Sequence, residues 1–272
     1  MDSTKYDELM LECLGSEHII SGTVYYDEVY EAALRKSLKK DGLLTAYKGE
    51  LKEVIKNDPL KRIKMCSIAS SSRFCYLASK TLFKITKVEV TDLVNECCKP
   101  HYDGWSAYDP GDKRKNVYYE FKCHEFCSTS HDELSNSYKS LLKKHFNIEV
   151  EDTRELKFSD FGLAIPNDPY INKINFDFKQ FLCHILGLLT IATKNDKPTL
   201  HYVWVVPYCP DSKELDDFID LVDGQIDSIF DQMSDVDIST DSEKGKLGEF
   251  IHFSCEIIPA NSIDDFVLEN IE

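Results

Sequence analysis

The sequence predicts an α/β fold in which a central mixed β-sheet is flanked by helices, with a helical extension at the N-terminus. Segments with apolar residues at helical spacing alternate with short aromatic or β-branched runs that are typical of strands. One such run, residues 200–206, is almost wholly apolar and indicates a strand buried on both faces. Because 42% of the 272 residues are hydrophobic, the chain can also form a sizeable core.

The N-terminal 59 residues are predicted to form the helical extension, and residues 60–272 the core domain. Helical spacing of apolar residues predicts helices over residues 26–39 and 44–57. A run of three serines at 70–72 is typical of an N-cap, so we expect a helix over 73–83. A strand over residues 88–97 should follow it.

The clearest pair of elements is a β-hairpin. Residues 101–108 and 116–122 are rich in aromatics, and the Asp-Pro-Gly-Asp segment 109–112 between them is typical of a turn. The tip of this hairpin is basic, at residues 113–115. The elements expected after it are helices over 132–146 and 176–194, a strand over 200–206, an acidic amphipathic helix over 213–233 and a last strand over 250–258.

Two charged residues interrupt the aromatic second strand of the hairpin. Because side chains alternate along a strand, Glu120 and Lys122 face the same side. If the turn is centred between Gly111 and Asp112, Glu120 lies directly opposite Asp103 on the first strand. Two carboxylates in opposite positions repel each other. The pair therefore indicates a divalent cation, and carboxylate oxygens are ligands that Mg²⁺ prefers.

An acid on one strand followed by Glu-x-Lys on the next resembles the PD-(D/E)XK nuclease superfamily, which has the restriction-endonuclease-like fold. The residues that carry the resemblance are Asp103, Glu120 and Lys122, within roughly residues 60–206. The order of predicted elements also resembles that core, if helix 176–194 is an addition. Two departures are Tyr102, where a proline often stands, and Arg73, where glutamine is expected. Weaker similarities to an uncharacterised bacterial branch are Ser71, Ser72 and Arg73 at a helix start, Glu125 after the lysine, Leu134, Ser135 and Tyr138 on the next helix, and Gln180 and His184 one helical turn apart.

The resemblance implies metal-dependent hydrolysis of phosphodiester bonds in nucleic acid, with DNA as the expected substrate. Asp103, Glu120 and the main-chain carbonyl of Phe121 would hold Mg²⁺ or Mn²⁺. Lys122 would position or help deprotonate the attacking water and stabilise developing charge. Glu125 would support a second metal or orient the lysine, unless it is a solvated acid at a helix start. The expected substrate-binding residues, each with plain packing as its alternative, are Ser72, Arg73, Tyr138, Gln180 and His184.

Two alternatives remain open at this point. The chain could be a catalytically silent member of the same fold that serves as a binding or scaffold module. A zinc site could also form from nearby sulfur and nitrogen ligands, although their spacing is unusual for such sites. The sequence contains no P-loop and no dinucleotide-binding fingerprint. The residues of the zinc alternative are Cys97, Cys98, His101, Cys123, His124 and Cys127.

The net charge of −16 argues at first against a nucleic-acid partner. However, residues 211–243 contain twelve acids and one base, so this window carries −11 of the total. A phosphate-binding surface elsewhere is thus compatible with the composition, while the acidic helix 213–233 is a candidate surface for a protein partner. Without a signal peptide or a long apolar run, we expect a cytoplasmic protein with no membrane partner. Whether it forms a homodimer is left open.

Overall fold

The computed structural model describes residues 1–15, 17–20, 23–54, 62–91, 100–108, 115–127, 134, 137–153, 156–164 and 176–264. The helices of these ranges are α1 (Ser3–Leu14), α2 (Glu28–Lys40), α3 (Ser71–Thr81), α4 (Ser137–Phe146), α5 (Phe178–Leu188), α6 (Lys213–Ser234) and α7 (Asn261–Asp264). The strands are β1 (Lys87–Val90), β2 (Tyr102–Tyr108), β3 (Lys115–Lys122), β4 (Thr199–Val206), β5 (Asp237–Ser239), β6 (Lys244–Lys246) and β7 (His252–Pro259).

The central sheet is mixed and has the strand order β1-β2-β3-β4-β7. β1, β2 and β3 are antiparallel neighbours, whereas β3, β4 and β7 run parallel to one another. Strands β5 and β6 form a separate two-stranded hairpin that the sequence did not predict. The predicted fold class, an α/β protein with a mixed sheet flanked by helices, is confirmed at this level.

Helices cover both faces of the sheet. On one face, the ring of Phe83, just beyond α3, lies 5.2 Å from that of Tyr119 on β3. On the other face, Phe181 of α5 and Phe230 of α6 pack against Tyr202 of β4. Because each strand of the centre is covered on both sides, β4 is buried along its whole length, as its apolar sequence predicts.

The register between β3 and β4 decides which face carries the charged residues of β3. Glu120 pairs with Tyr202 and Lys122 with Trp204, so both charged side chains point to the face covered by α5 and α6. α6 packs there through its apolar side, with Phe218 against Trp204. The acids of α6 lie mostly on its solvent-exposed side. The acidic helix is thus a neighbour of α5, over β4, rather than a cover for β2 and β3.

The N-terminal segment packs into the same apolar core as the rest of the chain. Tyr6 and Met10 of α1 are fully buried, and the hydroxyl of Tyr6 donates to the carbonyl of Val205 on β4. In the same way Arg73 of α3 donates to the hydroxyl of Tyr30 on α2. The described residues up to 54 thus share one apolar core with the rest of the chain, and the predicted boundary after residue 59 stays a prediction.

Some predicted elements differ in extent. The helix expected over 44–57 is reduced, in its described part, to a 3₁₀ turn at Ala46–Lys48. Tyr47 leaves helical dihedrals there, and the following Gly49 favours an interruption. The strand expected over 88–97 is seen as Lys87–Val90, and residues 92–99 lie outside the described part, as do the turn at 109–112 and residues 113–114. None of the described helices is long and apolar enough to cross a membrane.

Candidate active site

The β-hairpin places Asp103 opposite Glu120. Gly104 pairs with Tyr119, so the next pair along the two strands is Asp103 with Glu120, as the sequence predicts. At this point a side chain joins the strands, because the amide of Phe121 donates to Oδ2 of Asp103 at 2.7 Å. One carboxylate oxygen of Asp103 is therefore held against the main chain of β3 at Phe121, the residue whose carbonyl the resemblance implies as a metal ligand.

Glu120, Lys122 and Gln180 form a closed set of hydrogen bonds. The ammonium of Lys122 lies 2.7 Å from Oε1 of Glu120 and 2.5 Å from Oε1 of Gln180. The side-chain amide of Gln180 also donates to Oε1 of Glu120, at 3.0 Å. Gln180 holds this place because Asp177 caps the N-terminus of α5. The carboxylate of Asp177 accepts a hydrogen bond from the main-chain N–H of Gln180. The three side chains consequently fix one another.

His184 lies one helical turn after Gln180 and faces the same site. Its Nε2 is 2.9 Å from the carbonyl of His101 and 3.6 Å from Oε2 of Glu120. Because a carbonyl only accepts, Nε2 carries the proton. Burial lowers the pKa of His184, so the ring is neutral near pH 7. Its Nδ1 is buried and has no hydrogen-bond partner among the described residues.

The three central residues of the site are buried. Asp103, Glu120 and Lys122 expose 5%, 4% and 7% of their surface. Burial and the charge of Glu120 raise the pKa of Asp103 well above its usual range. Burial alone would also raise the pKa of Glu120, but the charge of Lys122, its hydrogen bond and the neighbouring histidines together outweigh burial and lower that pKa. The two facing carboxyl groups therefore differ strongly in acidity, as expected for a coupled pair.

The pKa of Lys122 is raised above its usual value. Burial alone would lower it, but the charges of Glu120 and Glu125 and the hydrogen bond to Glu120 outweigh that effect. Glu125 thus acts on Lys122 electrostatically, while its expected roles, support of a second metal or orientation of the lysine, stay predictions. Its carboxylate accepts a hydrogen bond from the main-chain amide of Cys123, within the 3₁₀ turn that follows β3.

A third acid, Glu89, was not anticipated from the sequence as part of the site. β1 pairs with β2 with Val88 opposite Gly104 and Val90 opposite Tyr102, which places Glu89 opposite Asp103. Its backbone is left-handed, with φ of 51°, a conformation that is unfavourable for a residue with a Cβ. In the sequence, the local pattern Val-Glu-Val indicates only a solvent-facing position. That Glu89 lies opposite Asp103 follows only from the register between β1 and β2.

Glu89 forms an ion pair with His101 that predicts a pH-dependent stability. Nε2 of His101 is 2.7 Å from Oε2 of Glu89, and this hydrogen bond raises the His101 pKa from 6.5 to about 9. The stability gained from this pair is complete below pH 6.5 and is lost as the pH rises through about 9. Since 47% of the His101 side chain is exposed, solvent screening limits the effect to under about 1 kcal/mol.

Urea unfolding at pH 6 and at pH 10 measures this loss. His101→Gln should reduce the difference between the two free energies of unfolding, because glutamine keeps a hydrogen bond but not the charge. Lys80→Gln serves as a matched control, since it removes another ion pair of partial exposure, to Asp41 at 2.7 Å. An unchanged pH dependence in His101→Gln would contradict the expectation.

The structure places the other predicted substrate-binding residues apart from this set of bonds. Arg73 is fully buried, and its guanidinium donates to the carbonyls of Ser67 and Ile68, which fits a structural role. Ser72 is buried in the first turn of α3, and Tyr138 is buried on α4. Ser135 lies outside the described residues. Substrate binding by Ser72, Arg73 and Tyr138 remains a prediction, and we do not include these residues in the site below.

Within the described part of the chain, no three His, Cys, Asp or Glu side chains form a group that could hold a metal ion. The predicted magnesium ligands include two such side chains, Asp103 and Glu120, because the third ligand is a main-chain carbonyl. Their oxygens suit a hard cation. For the zinc alternative, Cys97 and Cys98 lie outside the described residues, and nothing in the described part favours it.

Comparisons with protein-family models, with curated proteins and with solved structures gave no match to this chain. The resemblance to the PD-(D/E)XK superfamily therefore depends on Asp103, Glu120, Lys122 and the order of elements around them. The chemistry of the site itself carries the function, since a fold alone does not define one.

Proposed function

We propose that this protein is a divalent-metal-dependent nuclease that hydrolyses phosphodiester bonds, with DNA as its substrate. The observation that carries the proposal is the arrangement of Asp103 opposite Glu120 with the ammonium of Lys122 2.7 Å from Glu120. Two buried carboxylates in facing positions destabilise the fold unless a cation lies near them. A cationic side chain at the same place is suited to an anionic substrate.

Asp103, Glu120 and the carbonyl of Phe121 would hold Mg²⁺ or Mn²⁺. A bound metal supplies Lewis-acid polarisation of the phosphate and a more acidic water. The raised pKa of Lys122 keeps its ammonium protonated near neutral pH. This favours a role in stabilising negative charge at the phosphate over a role as proton acceptor. Gln180 orients Lys122, because it accepts one of the ammonium protons.

The acidic window does not oppose a nucleic-acid substrate. Most of it belongs to α6, which packs over β4 with its acids turned to solvent. The proposed site lies at β2 and β3, under α5. The acids of α6 therefore repel a phosphate from beside the site rather than from within it. Salt screens this repulsion at distances beyond about 8 Å.

Cleavage assays test the proposal directly. Wild-type protein with Mg²⁺ or Mn²⁺ should cut at least one of four substrates, namely single- or double-stranded DNA and single- or double-stranded RNA, and EDTA should prevent it. Glu120→Gln keeps an oxygen for Lys122 but removes the charge, so its rate should fall by about 100-fold or more. If wild-type protein with either metal cuts none of these substrates, the proposal of a nuclease is wrong.

The second candidate is a catalytically silent module of the same fold, and the burial of the site favours it. Glu120, Lys122 and Gln180 saturate one another, and such an arrangement also suits a structural ion pair. This protein would bind nucleic acid or a protein partner without cutting. Retention of a labelled oligonucleotide with no product in the presence of Mn²⁺ would identify it.

A further inference from the structure

A pocket opens at the N-terminal end of α5, beside the proposed site. As the described residues form it, its volume is about 570 Å³, within the range of about 300–1,000 Å³ that is usual for ligand pockets. Asp177, Phe178 and Lys179 line one side of it. The next residue along α5 is Gln180, which accepts a hydrogen bond from Lys122. A molecule held in this pocket would therefore adjoin the proposed site.

The segment that precedes α5 gives the pocket an aromatic and apolar wall. Phe158 and Leu163 belong to this wall. The ring of Phe158 lies 4.0 Å from that of Phe178, at an interplanar angle of 31°. Phe178 is buried, whereas Phe158 is only half-buried, so part of the Phe158 ring is open to the pocket. A flat aromatic group that enters the pocket can stack on this ring.

The same lining contains two lysines. Lys157 is exposed and Lys179 is half-buried, and Ser159 adds a hydroxyl between the two segments. The acid among the described lining residues, Asp177, already accepts the capping N–H of Gln180. A chain with a net charge of −16 thus has cationic side chains around an apolar, aromatic wall at this place. A planar base with phosphates on either side of it is complementary to such a surface in both shape and charge.

We propose that this pocket binds an unpaired base of the nucleic-acid substrate, with the flanking phosphates at Lys157 and Lys179. The inference rests on the proposed function and narrows its substrate class to single strands, or to duplexes in which a base has been opened. Stacking on Phe158 tolerates any sequence, because every base has a π-face. Opening a base in a duplex costs pairing and stacking energy, so a single strand should bind more tightly than a blunt duplex.

Photo-cross-linking of the full chain in EDTA locates the base without any need for cleavage. The probe is a short thymidine single strand in which iodouracil replaces each thymine. It should cross-link to Phe158, which mass spectrometry of the modified peptide identifies. The same strand in a blunt duplex should cross-link much less. Cross-links that avoid Phe158 would contradict the proposal.

Binding of the single strand by variants tests the ring and the charge separately. Phe158→Leu keeps an apolar side chain but loses the π-face, so binding should weaken about 10-fold. Lys157→Gln should reduce the slope of log K against log salt by about 0.7, the value for one phosphate contact of a single strand. The matched controls are Phe83→Leu, on the other face of the sheet, and Lys213→Gln, at the exposed start of α6. Both controls should bind as wild type does.

The outcomes separate this inference from the proposed function. If the single strand cross-links at Phe158 but no substrate is cut with Mg²⁺ or Mn²⁺, the pocket stands and the nuclease proposal falls. If wild type cuts DNA while Phe158→Leu and Lys157→Gln bind the single strand normally, the pocket proposal is wrong and the nuclease proposal survives. Equal affinity for single strand and blunt duplex, or no binding of the single strand, also overturns the pocket proposal.

Discussion

Lys122→Ala should slow DNA cleavage by about 1,000-fold, because charge stabilisation at the phosphate and orientation of the attacking water are lost together. The ammonium is the cationic group bonded to Glu120, at 2.7 Å, and Gln180 holds it there. Alanine supplies neither charge nor hydrogen bond. Initial rates on a labelled duplex with saturating Mg²⁺ measure the effect, and KM should change much less than kcat.

The same substitution has a cost in stability that must be separated from its effect on cleavage. Loss of one partner of a buried ion pair typically lowers the free energy of unfolding by about 3–5 kcal/mol. Circular dichroism and thermal denaturation therefore accompany the assay. Lys80→Ala removes a lysine–carboxylate pair outside the site and should cleave normally. A folded Lys122→Ala protein that cleaves at the wild-type rate would exclude a catalytic role for this lysine.

The sequence predicted the hairpin and its register because that information is local. Aromatic alternation predicts both strands, and a turn assumed between them predicts the register that the strand pairing shows, with Asp103 opposite Glu120. Gln180 and His184 were also predicted to share a face, since helical spacing alone places them together. The hydrogen bond of Gln180 to Glu120 and the closeness of His184 to it depend on α5 packing over β3, which no local pattern specifies.

Two environments that the sequence did not specify depend on contacts between residues far apart in the chain. Arg73 belongs to a short motif for which the resemblance implied substrate binding, and that role stays a prediction. Tyr26, just before α2, and Tyr30 of α2 surround its buried guanidinium. Glu89 has an exposed pattern in sequence, yet β1 pairs with β2 so that it meets Asp103. In both cases residues far apart in the chain determine the environment, and therefore the role, of the side chain.

Divalent metal should stabilise the wild-type protein against heat, and Asp103→Asn should abolish that stabilisation. At a concentration about 100 times Kd, one bound ion adds about 2.7 kcal/mol, which corresponds to a rise in Tm of roughly 5–10 °C. Asparagine still accepts the hydrogen bond from Phe121 but lacks the charge that binds a cation. In EDTA the variant should be more stable than wild type by about 1 kcal/mol, because a buried carboxyl facing Glu120 has been neutralised.

The pH dependence of the metal effect follows from the raised pKa of Asp103. A raised carboxyl pKa favours the fold below the unfolded value of 3.8, and this contribution is lost as the pH rises through the folded pKa. Protons and metal thus compete for the same group, so the rise in Tm with Mn²⁺ should be larger at pH 8 than at pH 6. Differential scanning fluorimetry at both pH values measures it, with Asp196→Asn, an exposed acid outside the site, as the control. Equal metal-induced shifts in wild type and Asp103→Asn would show that any bound ion lies elsewhere, and Asp103 would then be a buried acid retained for another reason.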